Sequence, residues 1–134
     1  MSANHSHRAR VRVRYAETDQ MGVVYHANYV IWMEVGRVEY ARARGLPYKE
    51  LEGAGLYMAV VEANCRYLRA ARYDDEIEIE TVVKKASPRG IEFGYTFWRG
   101  TERLGDGFTK HLFLGRDMRP GKLPEQYWPI FDLK

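Results

Sequence analysis

The spacing of apolar residues changes twice along the chain and divides it into segments. Over residues 10–16, RVRVRYA, the alternation is strict: Val11, Val13 and Tyr15 share one side, Arg10, Arg12 and Arg14 the other. Successive strand side chains point to opposite faces, so this run predicts a half-buried strand. The following ETDQMGVV is polar, carries Gly22 and reads as a loop. From Asn28 to Arg44 the period lengthens. Tyr29, Met33, Gly36 and Tyr40 recur at helical spacing, Trp32 and Val35 widen the stripe, and Glu34, Arg37, Glu39, Arg42 and Arg44 form a narrower polar side. The pattern predicts a helix of about four to five turns, capped by Asn28 and stopped by Gly45 and Pro47. A helix so broadly apolar requires something large wrapped around it. A short helical stretch is expected at 48–52, before Gly53 and Gly55.

The remainder has strand character. Residues 57–68 are rich in Tyr, Val and Cys, and 76–83 set Ile77, Ile79, Thr81 and Val83 against Glu76, Glu78 and Glu80. After the turn signal SPRG at 87–90, residues 91–98 place Phe93, Tyr95 and Phe97 opposite Glu92, Thr96 and Trp98. GDG at 105–107 is expected to close a hairpin into a strand over 108–116, and the Pro-rich run 120–134 to be irregular. One strand, one long helix and four strands on short turns describe an α+β protein, with an antiparallel sheet of about five strands curved around one helix. There is no internal repeat and no low-complexity segment.

Length and composition narrow this picture. With 134 residues the chain is expected to be a single domain (1–134), with 1–8 a disordered polar tail in which His5 and His7 carry no metal. A net charge of +3, from 21 Lys and Arg against 18 Asp and Glu, describes a mixed solvated surface; no nucleic-acid partner is expected. The N-terminus lacks the apolar core of a signal peptide, and no run approaches the ~18 apolar residues of a membrane span. The single cysteine, Cys65, forbids an intramolecular disulfide, suits the cytoplasm, and reads as a packing residue rather than a nucleophile. Ten Tyr, five Phe and three Trp are a heavy aromatic load that points towards self-association.

The candidate chemistry sits where loop meets helix. Asp19 and His26 bracket the segment that opens the long helix. A helix N-terminus offers unpaired N–H groups and a positive dipole end, which suit an oxyanion developing during acyl transfer. A carboxylate a few residues upstream can fold back over that point, to attack a carbonyl or orient a water. Gly22 between them allows close backbone approach to a ligand. By position alone an aspartate before a helix is more often a cap or turn residue, and a histidine at a helix start is usually a surface or packing residue.

The stretch Tyr15-Ala-Glu-Thr-Asp19-Gln-Met-Gly22-Val-Val-Tyr25-His26-Ala-Asn28-Tyr29 resembles the signature of the 4-hydroxybenzoyl-CoA thioesterase family, which includes the Tol-Pal-associated thioesterases. The likeness continues through RVEYARARGLPYKEL, CRYLRAARYDDEIEIET and RDMRPGKLPEQ, from about residue 9 to 126. It implies a hotdog fold, assembly as a homodimer or dimer of dimers, and active sites at the dimer interface. It implies Asp19 as catalytic nucleophile or general base, and the amide of His26 as the group that polarises the thioester carbonyl, with a contribution from the imidazole. Tyr25 and Asn28 fall around the acyl site. The substrate is then an acyl-CoA, or an acyl group on a carrier protein; coenzyme A enters only as part of it, and no metal or other cofactor is expected.

The phosphates of CoA need basic partners. Lys84, Lys85 and Arg89, around SPRG, match positions where family members carry them, and Arg69 and Arg72 form a second patch. Glu34 and Arg37, three apart on the helix, read first as an ion pair, with Glu34 a reserve catalytic carboxylate. Two other functions remain as alternatives. A hotdog dehydratase or hydratase would show an Asp and His about five apart and a Gly-Asp-x-Asn-Pro stretch, where this chain has seven and none. A non-catalytic acyl-binding module would not need Asp19.

Overall fold

The structure is a computed structural model that describes residues 5–134. Five antiparallel strands form one sheet: β1 (Ser6–Arg12), β2 (Leu56–Tyr67), β3 (Glu76–Ser87), β4 (Gly90–Arg99) and β5 (Glu102–Gly115), in the order β1-β3-β4-β5-β2. Helix α1 (Ala27–Ala43) packs on its inner face, and the short α2 (Tyr48–Gly53) follows. This is the α+β hotdog arrangement expected. The register follows from the two alternating runs: Arg8, Arg10 and Arg12 stand opposite Glu80, Glu78 and Glu76, with Arg10–Glu78 and Arg12–Glu76 both at 3.2 Å. A shift by one residue would turn these charges into the core, so the pairing is strongly specified.

The apolar stripe of α1 supplies Tyr29, Trp32, Met33, Gly36, Tyr40 and Ala41 to the core. Each large side chain buried this way contributes roughly 1.5–3 kcal/mol. Gly36 sets how near the helix comes, since a Cβ there would stand 2.5 Å from Thr81 Oγ1 and 2.8 Å from Ile79 Cγ2. The helix ends as expected: Gly45 takes φ +94° and the amide of Leu46 donates to Ala41 O at 2.9 Å. The N-terminal cap differs. His26 occupies the cap position, and the Asn28 side chain instead donates to Glu17 O at 2.9 Å, tying helix to loop.

Four expectations give way. β1 starts at Ser6, so residues 6–8 of the expected tail pair with Val82–Glu80; residues 1–4 of that tail lie outside the described residues. Beyond Arg12 the chain turns away, and Tyr15 leaves the core face for a 3-10 turn, exposed and stacked on Tyr73 at 3.8 Å. GDG at 105–107 is not a hairpin but the middle of β5; the turn falls at Gly100, with φ +61°. Gly105 and Gly107 are there because a Cβ at either would collide with a β2 carbonyl oxygen, of Arg66 and Asn64 respectively. The C-terminal run forms a 3-10 helix, Glu125–Phe131, that buries Phe131 against Phe93.

One buried histidine makes the stability of the fold depend on pH. His111 on β5 is 3% exposed, and burial, then the charge of Arg37, lowers its pKa to about 4. The unfolded chain therefore takes up a proton near pH 6.5 that the folded chain refuses until about pH 4. Stability is complete above the unfolded value and falls as pH drops through this window, by about 3 kcal/mol. His111→Gln, which keeps a partner for Thr109, is expected to flatten that part of a denaturation profile. Equal slopes for the two proteins between those pH values would refute it.

The helix leans on β1 and β3 and barely touches β2, an edge strand. Val60, Val61 and Tyr67 of β2 are exposed, as are Val30 and Ile31 of α1.

Candidate active site

The loop before α1 is held at both ends. Its body is a tight turn in which the Asp19 amide donates to Val23 O (2.9 Å) and the Gly22 amide to Asp19 O (3.0 Å). The turn requires φ +81° at Gly22, while the space around a Cβ there is open, so conformation rather than crowding selects glycine. Asp19 Oδ1 accepts from the Met21 amide at 2.9 Å, which leaves Oδ2 uncommitted. At the helix, Asn28 N donates to Tyr25 O (2.9 Å) and Tyr29 N to His26 O (3.2 Å). Those bonds leave the amides of His26 and Ala27 as the open donors of the helix end among the described residues.

A cleft joins these parts. It is lined by Asp19, Met21, Val23, Val24, His26, Tyr29, Tyr67, Leu68, Arg69 and Ala70. Asp19 and His26 therefore share one cleft, as their positions in sequence suggested. The His26 ring lies against Tyr25, with centroids 4.4 Å apart, and faces Tyr67 edge-on at 6.2 Å.

Two residues that sequence reasoning passed over support this corner. Glu17 is a buried carboxylate: it accepts from the Trp32 indole at 3.1 Å and from the Arg14 amide at 2.8 Å, while its carbonyl accepts from Tyr25 N. Tyr67, at the end of β2 and half-exposed, donates its hydroxyl to His26 O at 3.0 Å, and partial desolvation of that hydroxyl pushes its pKa up to about 12, so it stays a donor. The pairing of a buried acid with an indole fifteen residues later carries no local signal. Tyr67 reads in sequence only as one more strand aromatic.

Comparison with known proteins places this geometry. Residues 21–105 match the model of the thioesterase superfamily. The chain belongs to the thioesterase superfamily. It is thus a thioester hydrolase by family. It is 38% identical over 114 residues to the putative acyl-CoA thioesterase YneP of Bacillus subtilis, covering 84% of this chain and 83% of that one. With the acyl-CoA thioesterase YbgC of Haemophilus influenzae it shares 34% over 124 residues, 90% of each. The crystal structure of the hypothetical protein TT1821 from Thermus thermophilus superposes with a TM-score of 0.90 at 36% identity, covering 93% of this chain and 96% of that one.

The remaining candidates of this superfamily member are dispersed. Arg69 lines the Asp19 cleft, paired with Glu102 at 2.9 Å, and Arg72 is exposed nearby. Lys84, Lys85 and Arg89 lie at the far end of the β3–β4 hairpin. Lys84 pairs with Glu92 at 4.0 Å beside Phe108, and Lys85 and Arg89 are exposed. Strand geometry puts Lys84 roughly 27 Å along β3 from Glu76, the end nearest the cleft. One chain does not bring that basic cluster to Asp19. Glu34 is exposed, and the ion pair within α1 is Arg42–Glu39 (3.2 Å), not the expected Glu34–Arg37. Cys65 is half-buried, and burial raises its pKa, which keeps it a thiol.

Glu17→Ala strands the buried Trp32 N–H and opens a void beside it, so it is expected to cost about 2–3 kcal/mol. Glu17→Gln, which keeps an acceptor, should cost less than half of that in urea titration. Equal losses for both variants would show that the carboxylate, not the acceptor, matters.

Proposed function

We propose that the protein hydrolyses acyl-CoA thioesters to the free acid and coenzyme A, in the branch that holds 4-hydroxybenzoyl-CoA thioesterase and the Tol-Pal-associated enzymes. The observation that carries this reading is Asp19, held in one cleft with the α1 N-terminus in a chain of the thioesterase superfamily. The acyl-CoA names of YneP and YbgC support the substrate class.

In this mechanism the thioester carbonyl oxygen lies over the amides of His26 and Ala27, where the helix end stabilises the charge that develops on it. Asp19 Oδ2 attacks the carbonyl carbon, or takes a proton from a water that attacks it. Collapse of the tetrahedral intermediate breaks the C–S bond and expels CoA as thiolate, which is then protonated. If Asp19 is the nucleophile, water cleaves the resulting anhydride and restores the carboxylate. Tyr67 holds the His26 carbonyl and so fixes the orientation of the next amides. Tyr25, Asn28 and Gly22 surround the acyl group. Water is the only co-substrate.

The chain acts as a homodimer or dimer of dimers that joins copies along β2. Its unpaired edge and exposed Val60 and Val61 support this, and so does the distance between Asp19 and the basic hairpin, since a second copy can bring Lys84, Lys85 and Arg89 to the CoA phosphates. No described helix is long and apolar enough to cross a membrane, and a cytoplasmic setting matches the substrate. Thiol release across a panel of acyl-CoAs, with light scattering for mass, tests both parts. Absence of hydrolysis with every acyl group, or a monomer of full activity, would overturn the corresponding part.

A further inference from the structure

A cavity of about 590 Å³ opens between the turn that joins β3 to β4 and the C-terminal segment, at the end of the sheet away from Asp19. Pro88 and Arg89 of the turn form one wall, and Lys122, Pro124, Glu125 and Trp128 the other. The two walls are tied to each other and to the sheet. The Leu123 amide donates to Pro88 O at 2.8 Å, and the Phe113 amide to Arg89 O at 3.0 Å. Trp128 is half-buried against the core, and its indole N–H donates to Leu123 O at 2.8 Å. That donor is satisfied inside the chain, so the ring offers the cavity flat apolar surface. Arg89 and Lys122 are exposed, and neither has an ion-pair partner among the described residues. An aromatic face beside two such cations suits a ligand that combines a planar base with phosphate groups. The volume is that of a small-molecule site.

Resting on the thioesterase reading, we propose that this cavity takes the adenosine 3′-phosphate end of coenzyme A, with Trp128 stacked on the adenine. Arg89 has the planar fork that matches a terminal phosphate and pairs with the 3′-phosphate; Lys122 meets the diphosphate as a point charge. Glu125, the acid on the rim, accepts from the exocyclic amine of the base.

The site serves the Asp19 of a second copy. Within one chain the far end of β3, at Ser87, is about 36 Å from Glu76, the end nearest Asp19. Two-fold pairing of the β2 edges runs them antiparallel. Full overlap of Leu56–Tyr67 then sets Leu56 opposite Tyr67 of the partner subunit. Leu56 in turn pairs with Gly115, and a Cβ on Gly121, next to Lys122, would stand 3.1 Å from Leu56 Cδ1. Two strand spacings, roughly 10 Å, thus carry the chain of contacts from the partner's Tyr67 to this cavity, a span that the pantetheine arm covers.

The test compares one acyl group on CoA, on dephospho-CoA and on pantetheine, which lose first the 3′-phosphate and then the whole nucleotide. KM is expected to rise about tenfold at the first step and further at the second, with kcat unchanged. Arg89→Gln should make the CoA and dephospho-CoA thioesters alike. Trp128→Leu should raise KM for both about tenfold and leave acyl-pantetheine unmoved. Trp128→Phe, which keeps a ring, should recover most of that loss and separates stacking from a folding defect. Mixed dimers of Asp19→Asn and Arg89→Gln chains should regain a low-KM site, where the Asp19 of one chain meets the Arg89 of the other; no recovery would overturn the shared site. Calorimetry with 3′,5′-ADP reads the cavity without catalysis. Hydrolysis of no thioester, with 3′,5′-ADP binding still lost in Arg89→Gln, would remove the thioesterase reading and keep the nucleotide site. Equal KM for all three thioesters would overturn the site and leave the thioesterase intact. Binding of 3′,5′-ADP that leaves the KM for acyl-CoA unchanged would mean a free nucleotide as ligand and overturn the assignment to CoA.

Discussion

Asp19→Asn is expected to lower kcat for acyl-CoA hydrolysis by about a thousandfold or more, with the thermal midpoint almost unmoved. Asparagine has the same shape and keeps a carbonyl oxygen for the Met21 amide, so the turn through Gly22 survives. What disappears is the charge and basicity of the second oxygen. An amide oxygen neither attacks a thioester at a useful rate nor takes a proton from water. Acyl-CoA should still bind, since the open amides at the end of α1 are unchanged, so KM moves little while kcat collapses. That split separates the proposed role from a structural one, in which stability and both constants would fall together. Hydrolysis by the variant at the wild-type rate would remove Asp19 from the chemistry. Binding retained and hydrolysis absent in wild type and variant alike would point instead to an acyl-binding module.

The contrast with Glu17 shows why the site was only partly legible in sequence. Asp19 and His26 stand either side of a loop that opens a strongly periodic helix, and their meeting in one cleft follows from chain order. Glu17, two residues from Asp19, is buried because the chain folds back after β1 to put it under Trp32, and no local pattern encodes that contact. Tyr67 reaches His26 O from 41 residues away, through the register of β2 against β5. The fold itself was more readable. Runs of period two and period 3.6 reflect solvent on one side and core on the other, and the Arg and Glu stripes of β1 and β3 even carry their register. Tyr15 broke its pattern because pairing stops at Arg12 and the next residues curl into the 3-10 turn that places Glu17. The short β1 thus starts earlier than its alternation suggested, and its end is set by tertiary contacts.

The glycines of 105–107 were misread for a reason that itself yields a measurable consequence. A Gly-rich triplet between apolar runs resembles a turn, because both a turn and a close strand approach select glycine. In β5 the second of these applies. Gly107 lies between Cys65 of β2 and Tyr95 of β4, and a Cβ there would press on the Asn64 carbonyl and stand 2.6 Å from Met33 Cε. The methionine methyl can swing aside; the carbonyl is part of the β2 backbone and can yield only if that strand moves. Gly107→Ala is therefore expected to cost about 3 kcal/mol, a fall of roughly 10 °C in thermal midpoint for a chain of this size. Moving β2 also shifts Tyr67 and its hold on His26, so activity should decline along with stability, unlike in Asp19→Asn. Gly100→Ala, at the actual hairpin with φ +61° and nothing near its Cβ, should cost only about 1 kcal/mol, from backbone strain alone. Urea titration of the two variants discriminates directly: a larger loss at Gly100 than at Gly107 would mean that the turn, not the approach of β2 to β5, is what the chain's glycines protect.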